Sequence, residues 1–200
     1  MKQLPLILAS ASPRRRELLG SLGLAFEVVV AGIDERPWPG EKPASYALRN
    51  AAEKAREVWA RRGGEVRILA ADTIVVMDEH ILEKPEDAAH ATAMLRQLSG
   101  RSHEVITGVC LFEARDGGLR EWGDAVRTAV HFRALTEAEI AAYVATGEPM
   151  DKAGSYAIQG GAAAFVDGYE GSYSNVVGLP LETVERLLRP PESHLWKPVS

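Results

Sequence analysis

Two hundred residues can bury one good core or two tightly packed lobes. A composition that is 46% hydrophobic and 26% charged is that of an ordinary soluble globular protein. The net charge of -5 excludes a general binder of long nucleic acid, which would carry a basic stripe, yet leaves room for a small polyanion held by a few converging cations.

A single cysteine, Cys110, excludes an internal disulfide framework or a cysteine metal cluster and fits a reducing compartment. It lies in the apolar run Val109-Cys110-Leu111-Phe112, where core packing is its expected role. No signal-peptide pattern opens the chain, and no run is long and apolar enough to span a bilayer. The expected location is the cytoplasm, with no membrane partner.

In chain order, residues 3–9 read as a buried strand and residues 13–22 as a helix. Ser12 is placed to cap that helix, Pro13 suits its first position, and Arg14 and Arg15 stand in its first turn. Basic residues there are mildly unfavourable unless an anion is present. Free N–H groups, the Ser10 and Ser12 hydroxyls and two guanidinium forks describe a phosphate cradle; a solvated basic helix start is the plain alternative.

A second strand is expected over 26–30, then a proline-rich loop over 31–43 and a helix over 45–62 stopped by Gly63-Gly64. Residues 67–77 read as strand, broken only at Ala70-Ala71-Asp72-Thr73. A helix over 86–98 follows, then strands over 104–113 and 122–132 around a Gly117-Gly118 turn. Thr136-Glu137-Ala138-Glu139 is a capping box opening a helix that ends at Gly147. A short strand over 164–166 and a last helix over 181–188 complete the α/β or α+β pattern with a mixed sheet. Residues 190–200 are expected to be a peripheral tail.

Asp72 is the sharpest single position, because a carboxylate inside Ile68-Leu69-Ala70-Ala71-Asp72-Thr73-Ile74-Val75 is costly to bury unpaired. It reads as a metal ligand or general base, or as an aspartate satisfied by nearby backbone. Thr73 beside it is able to orient a base or a phosphate oxygen, or simply to suit a strand. Glu35 in the proline-rich loop is free to reach a metal. Lys54 sits among alanines on a helix, and Lys84 precedes Pro85, which biases its backbone to be extended. Asp151 and Lys152 open a chemically mixed segment, and Gln159 beside Gly160-Gly161 is placed to read a base edge or to close a loop. His103 begins a strand, where it meets a substrate or braces a loop. The histidines show no zinc spacing, and neither a Gly-x-Ser-x-Gly elbow nor a Walker A sequence is present.

Taken together, the cations and carboxylates point to a divalent metal acting on a polyphosphate. The ordered motifs Ser10-x-Ser12-Pro13-Arg14-Arg15-x-Glu17-Leu18-Leu19, Glu53-Lys54-Ala55, Ala71-Asp72-Thr73 and Glu83-Lys84-Pro85 sharpen this. So do Ser99-Gly100-x-x-His103, Asp151-Lys152-Ala153-Gly154-x-Tyr156-x-Ile158-Gln159-Gly160 and Gly171-Ser172-Tyr173-Ser174-Asn175. With them the chain closely resembles the Maf family of nucleoside triphosphate pyrophosphatases.

The resemblance implies hydrolysis of a nucleoside triphosphate to monophosphate and pyrophosphate with Mg²⁺ or Mn²⁺. It implies a two-lobed α/β fold related to inosine triphosphate pyrophosphatases, with a mixed twisted sheet, flanking helices and a central cleft. Residues 1–189 would be that single domain, and a homodimer is expected. Asp72 corresponds to the catalytic carboxylate, Glu35 to an acidic residue sharing a metal with it, and Arg14, Arg15, Lys54 and Lys84 to phosphate-binding cations joined by Ser10 and Ser12. His103, Asp151 and Lys152 would be further cleft residues. Arg14, Thr73 and Gln159 match the branch acting on dTTP and UTP rather than the one acting on 7-methyl-GTP. A glutamine amide suits this, since it pairs with both a donor and an acceptor of a uracil or thymine edge. The competing expectations are a nucleotide-binding regulator of septum formation and cell division without essential turnover, and a broader phosphatase releasing orthophosphate.

Overall fold

The opening apolar run forms strand β1 (Leu6–Leu8) in the computed structural model, which describes residues 4–189. Gln3 of the expected first strand and the tail 190–200 lie outside the described residues. In chain order come α1 (Pro13–Ser21), β2 (Glu27–Val28), α2 (Pro43–Arg62), β3 (Val66–Met77), β4 (His80–Leu82) and α3 (Ala88–Leu98). Then follow β5 (Ser102–Arg115), β6 (Gly118–Phe132), α4 (Glu137–Ala145), β7 (Val166–Glu170), α5 (Tyr173–Val177) and α6 (Leu181–Leu188). The seven strands make one mixed sheet ordered β2-β1-β3-β5-β6-β7, with β4 antiparallel on β3. Strand β1 runs parallel to β2 and β3, and β7 antiparallel to β6. This is the mixed α/β architecture that the alternation of elements implied.

Several boundaries differ from the sequence expectations, each for a local reason. Residues 67–77 do not break at Asp72: β3 runs unbroken from Val66 to Met77 because neighbouring side chains satisfy the carboxylate. The expected 26–30 strand shrinks to Glu27 and Val28, the two residues in register with β1. The hairpin turns at Asp116-Gly117, not Gly117-Gly118, since these two residues take the positive φ (51° and 73°) of a tight β-hairpin turn. Asp87 takes the cap of α3 by accepting from the His90 N–H at 2.7 Å, so the helix starts at Ala88 rather than residue 86. Helix α4 stops at Ala145, two residues before the left-handed Gly147. The expected strand over 164–166 is instead a 3₁₀ turn, Gly161–Phe165, whose small residues offer little to pack across a sheet; β7 starts only at Val166.

The described chain divides into two compact units, the first comprising 4–72, 107–126 and 178–189 and the second 73–106 and 127–177. In the first unit both sheet faces are covered. Ile7, Ile68, Ala70, Cys110 and Phe112 pack with Ala51, Ala55 and Val58 of α2 on one face. On the other, Leu8, Leu69, Ala71, Val109 and Leu111 pack with Leu19 of α1 and Val184 and Leu187 of α6. The period-two alternation of Ile68 and Ala70 against Leu69 and Ala71 explains why this strand reads as a continuous apolar run. Gly108 permits the closest approach: a Cβ there would stand 2.3 Å from the Ala47 backbone, so α2 rests directly on β5.

The second unit is built around an aromatic cluster of His103, Phe132, Tyr143, Tyr156 and Phe165, with ring centroids 4.9–6.1 Å apart in edge-to-face pairs. Met94, Leu95, Leu98 and Ile140 are buried in the same unit. The Thr136–Glu139 capping box is formed reciprocally, as its sequence predicts. Among the described residues, no helix is long and apolar enough to cross a membrane.

Candidate active site

The site begins with two polar residues on the buried face of α2. Asn50 and Lys54 are one turn apart, so both project from the stripe that otherwise holds Ala47, Ala51, Ala55 and Val58. Both reach Asp72. The Lys54 Nζ donates to Asp72 Oδ1 at 2.7 Å, and the Asn50 Nδ2 donates to Oδ2 at 3.0 Å. Burial alone would raise the Asp72 carboxyl; the Lys54 ammonium, with Arg15 and the Asn50 amide, outweighs it and holds the group below the usual carboxylate range. Asp72 is therefore an anion at neutral pH despite being 5% exposed.

Lys54 also meets a second carboxylate, Glu35 Oε1, at 3.1 Å, on a side chain that is half exposed. The proline-rich loop carrying Glu35 is tied to α2: the Tyr46 hydroxyl donates to the Glu35 carbonyl at 2.9 Å. Arg49 donates to Glu41 and to the Arg36 carbonyl, and its guanidinium lies 4.1 Å over the Trp38 ring. Pro43 at the helix start gives the loop a fixed exit.

At the start of α1 the two arginines do different work. Arg15 turns inward: Nε donates to the Gly178 carbonyl at 2.8 Å, and Nη1 to the Ala71 carbonyl at 2.8 Å and the Ser10 hydroxyl at 3.4 Å. It braces the backbone next to Asp72. Burial lowers its pKa, opposed by Asp72 and Glu35. Arg14 is half-buried and makes no hydrogen bond or ion pair with the described residues. The Ser12 hydroxyl accepts from the Arg15 N–H, and Ser10 Oγ accepts from the Ser12 N–H at 3.2 Å, so both serines shape the cradle.

Of the sequence-predicted residues, the first unit thus brings Ser10, Arg15, Glu35, Lys54 and Asp72 into one connected cluster. Asn50 is a member that the sequence reading missed; its spacing of four from Lys54 was the available signal. Among the residues of the second unit, Lys84 and Gln159 are exposed, and Thr73 is half-buried on β3. Lys152 pairs with its neighbour Asp151. His103 is buried, its Nε2 2.8 Å from the Tyr156 hydroxyl and its Nδ1 without a partner.

A divalent cation fits the chemistry of this cluster. Asp72 and Glu35 offer hard carboxylate oxygens converging on one positive charge, and Mg²⁺ is commonly held by one or two carboxylates, with substrate phosphates and water completing the shell. Among the described residues no group of three or more His, Cys, Asp or Glu comes together. Within the cluster Arg15 and Lys54 balance Asp72 and Glu35, and Arg14 beside it on α1 adds a further positive charge.

The Maf-like protein family matches residues 5–190. A dTTP/UTP pyrophosphatase of Geobacter metallireducens is 55% identical over 184 residues, covering 91% of this chain and 94% of that one. One of Anaeromyxobacter dehalogenans is 56% identical over 184 residues, covering 92% of each. Among solved structures, a HAM1 protein from Coxiella burnetii aligns over 93% of this chain and 98% of that one, with 18% identity and a TM-score of 0.47. Matched along nearly its whole length by the family and by relatives sharing more than half its residues, the chain belongs to the Maf family.

Proposed function

We propose that this protein hydrolyses dTTP and UTP, and related pyrimidine nucleoside triphosphates, to the monophosphate and pyrophosphate, clearing surplus or modified nucleotides. The observation that carries this reading is the buried, ionised Asp72 held by Lys54 and Asn50, in a chain 55% identical to a protein named for that activity. In the reaction, a water oxygen bonds to the α-phosphorus, the bond from that phosphorus to the bridging oxygen breaks, and pyrophosphate leaves with the electron pair.

Asp72 orients the water and takes its proton. A carboxylate held below its usual range is a weak base, so its first task is to stay charged. A bound Mg²⁺ or Mn²⁺, held by Asp72 and Glu35, would acidify that water and neutralise phosphate charge. Lys54 keeps Asp72 oriented, Arg15 fixes the Ala71 carbonyl beside it, and Arg14 offers its guanidinium to the phosphates. Lys84 is assigned to the phosphates by motif, as are Ser10 and Ser12. Thr73 and Gln159, with Arg14, are assigned to choice of base, and Asp151 and Lys152 are further cleft residues by the same resemblance. The reading includes a homodimer acting in the cytoplasm.

The test is product analysis by anion-exchange chromatography after incubation with Mg²⁺ and each of dTTP, UTP, CTP, GTP and 7-methyl-GTP. Monophosphate and pyrophosphate from dTTP and UTP, with little from the others, is the expected result. Orthophosphate as product would overturn the chemistry, and preference for 7-methyl-GTP would overturn the assignment of Arg14, Thr73 and Gln159. Binding without turnover would favour the regulator.

A further inference from the structure

The segment bearing Gln159 is gripped on both sides by one pair of residues. At the C-terminal end of α4, the Tyr143 hydroxyl donates to Glu148 Oε1 at 3.0 Å and accepts from the Ala157 N–H at 3.3 Å. The other oxygen of Glu148, Oε2, accepts from the Gly161 N–H at 3.1 Å. Ala157 and Gly161 lie two residues before and two after Gln159, so both ends of the turn are tethered to the Tyr143–Glu148 pair. Glu148 is itself fixed, its N–H donating to the Thr146 hydroxyl at 3.1 Å and Pro149 following it.

The turn is also pressed onto this pair. A Cβ at Gly160 would stand 2.1 Å from Glu148 Oε1, and one at Gly161 would stand 3.1 Å from the Tyr143 ring. The φ of 175° at Gly160 is extended backbone open to any residue, so a side chain there would have to displace the Glu148 carboxylate from its place. Tyr143 is held in turn by Phe165, edge to face at 5.2 Å. Gln159 alone in this stretch presents its side chain to solvent while its backbone is clamped.

We infer that Tyr143 and Glu148 are positioning residues for base selectivity: they set where the Gln159 amide stands, and so how well it pairs with a uracil or thymine edge. The inference rests on the proposed role of Gln159 in choosing the base. A glutamine amide discriminates only if held to within a fraction of an ångström, since each hydrogen bond weakens steeply with misalignment. A clamp on both flanks supplies that constraint without touching the nucleotide.

The experiment measures kcat and KM for dTTP, UTP and CTP with wild type, Glu148→Ala, Glu148→Gln, Tyr143→Phe and Gln159→Glu, with thermal unfolding of each variant. Glu148→Ala is expected to lower the preference for dTTP over CTP about tenfold, the effect of losing roughly one well-made hydrogen bond, through KM for dTTP with kcat within about twofold. Glu148→Gln, which retains an acceptor oxygen, restores most of that preference. Tyr143→Phe removes only a hydroxyl; it gives an intermediate loss and serves as the test if Glu148→Ala fails to fold. If Gln159→Glu changes the preference while Glu148→Ala and Tyr143→Phe leave it at the wild-type value, the inference is overturned and the role of Gln159 stands. If Gln159→Glu also leaves it unchanged, the role of Gln159 falls and the inference with it. A fall in kcat with an unchanged dTTP-to-CTP ratio assigns the pair to general support, which likewise overturns it.

Discussion

Two ionisable side chains are buried almost equally, Asp72 at 5% and His103 at 4% exposure, and the protein treats them in opposite ways. Asp72 is kept charged: Lys54, Arg15 and Asn50 surround it with cations and a donor, against the cost of its burial. His103 is kept neutral: it packs edge to face between Phe132 and Tyr156, and burial, helped by His131, pushes its pKa down to about 4. Burial alone therefore does not mark a reactive group. What separates the two is the company of fixed charge, since a buried charge that is paired and hydrogen-bonded represents an investment of structure that a core residue does not need.

The largest effect is expected at Lys54. Lys54→Met leaves Asp72 buried without its main counter-charge, so kcat/KM is expected to fall about 10²- to 10³-fold, the loss typical of a charged group that organises a transition state. The sign of the accompanying pH effect is fixed. Because Asp72 is depressed in the folded protein, its contribution is complete above the ordinary carboxylate range and is lost as pH falls through its folded value. Removing Lys54 raises that folded value, so the acid limb of the rate profile moves to higher pH. An unmoved limb would show that Asp72 does not depend on Lys54.

The next effect belongs to His103. Its folded pKa of about 4 lies below its ordinary value of 6.5, so the folded state binds fewer protons between those two pH values. The stability this group provides is whole above about pH 6.5 and is lost as pH falls towards 4, by on the order of 3 kcal/mol. Urea unfolding of wild type and His103→Gln at pH 7 and pH 4 should show the variant less sensitive to acid by that amount. Equal sensitivity would mean that His103 is not the group that titrates. The smallest effect is that of Asn50→Ala, which deprives Asp72 Oδ2 of its donor and is expected to cost about tenfold in kcat/KM with little change in KM.

The same contrast explains which features were readable from the sequence. A carboxylate within an apolar strand announces Asp72, because the cost of burying it demands partners somewhere. Lys54 reads from the sequence as a phosphate-binding cation, not as the partner of Asp72, and Asn50 is not singled out, because an asparagine in a helix looks like a solvent-facing residue until the helix face is known. Arg15 looked equivalent to Arg14. Its inward turn depends on the Ala71 and Gly178 carbonyls, 56 and 163 residues away, which no local pattern encodes. The unbroken β3 follows from the same cause: the break expected at Asp72 disappears once α2 supplies its donors. Likewise the Tyr143–Glu148 clamp joins residues that are unremarkable singly, and the small-residue run before β7 shows neither a period of two nor one of 3.6.

If Asp72 drives attack of water at the α-phosphorus, its removal shows first in pyrophosphate release from dTTP, compared between wild type and Asp72→Asn. Asparagine keeps the shape and can face Lys54 with its oxygen, so the fold is expected to hold while turnover falls at least about 10³-fold. Near-normal pyrophosphate release from folded Asp72→Asn would show that Asp72 does not drive the attack.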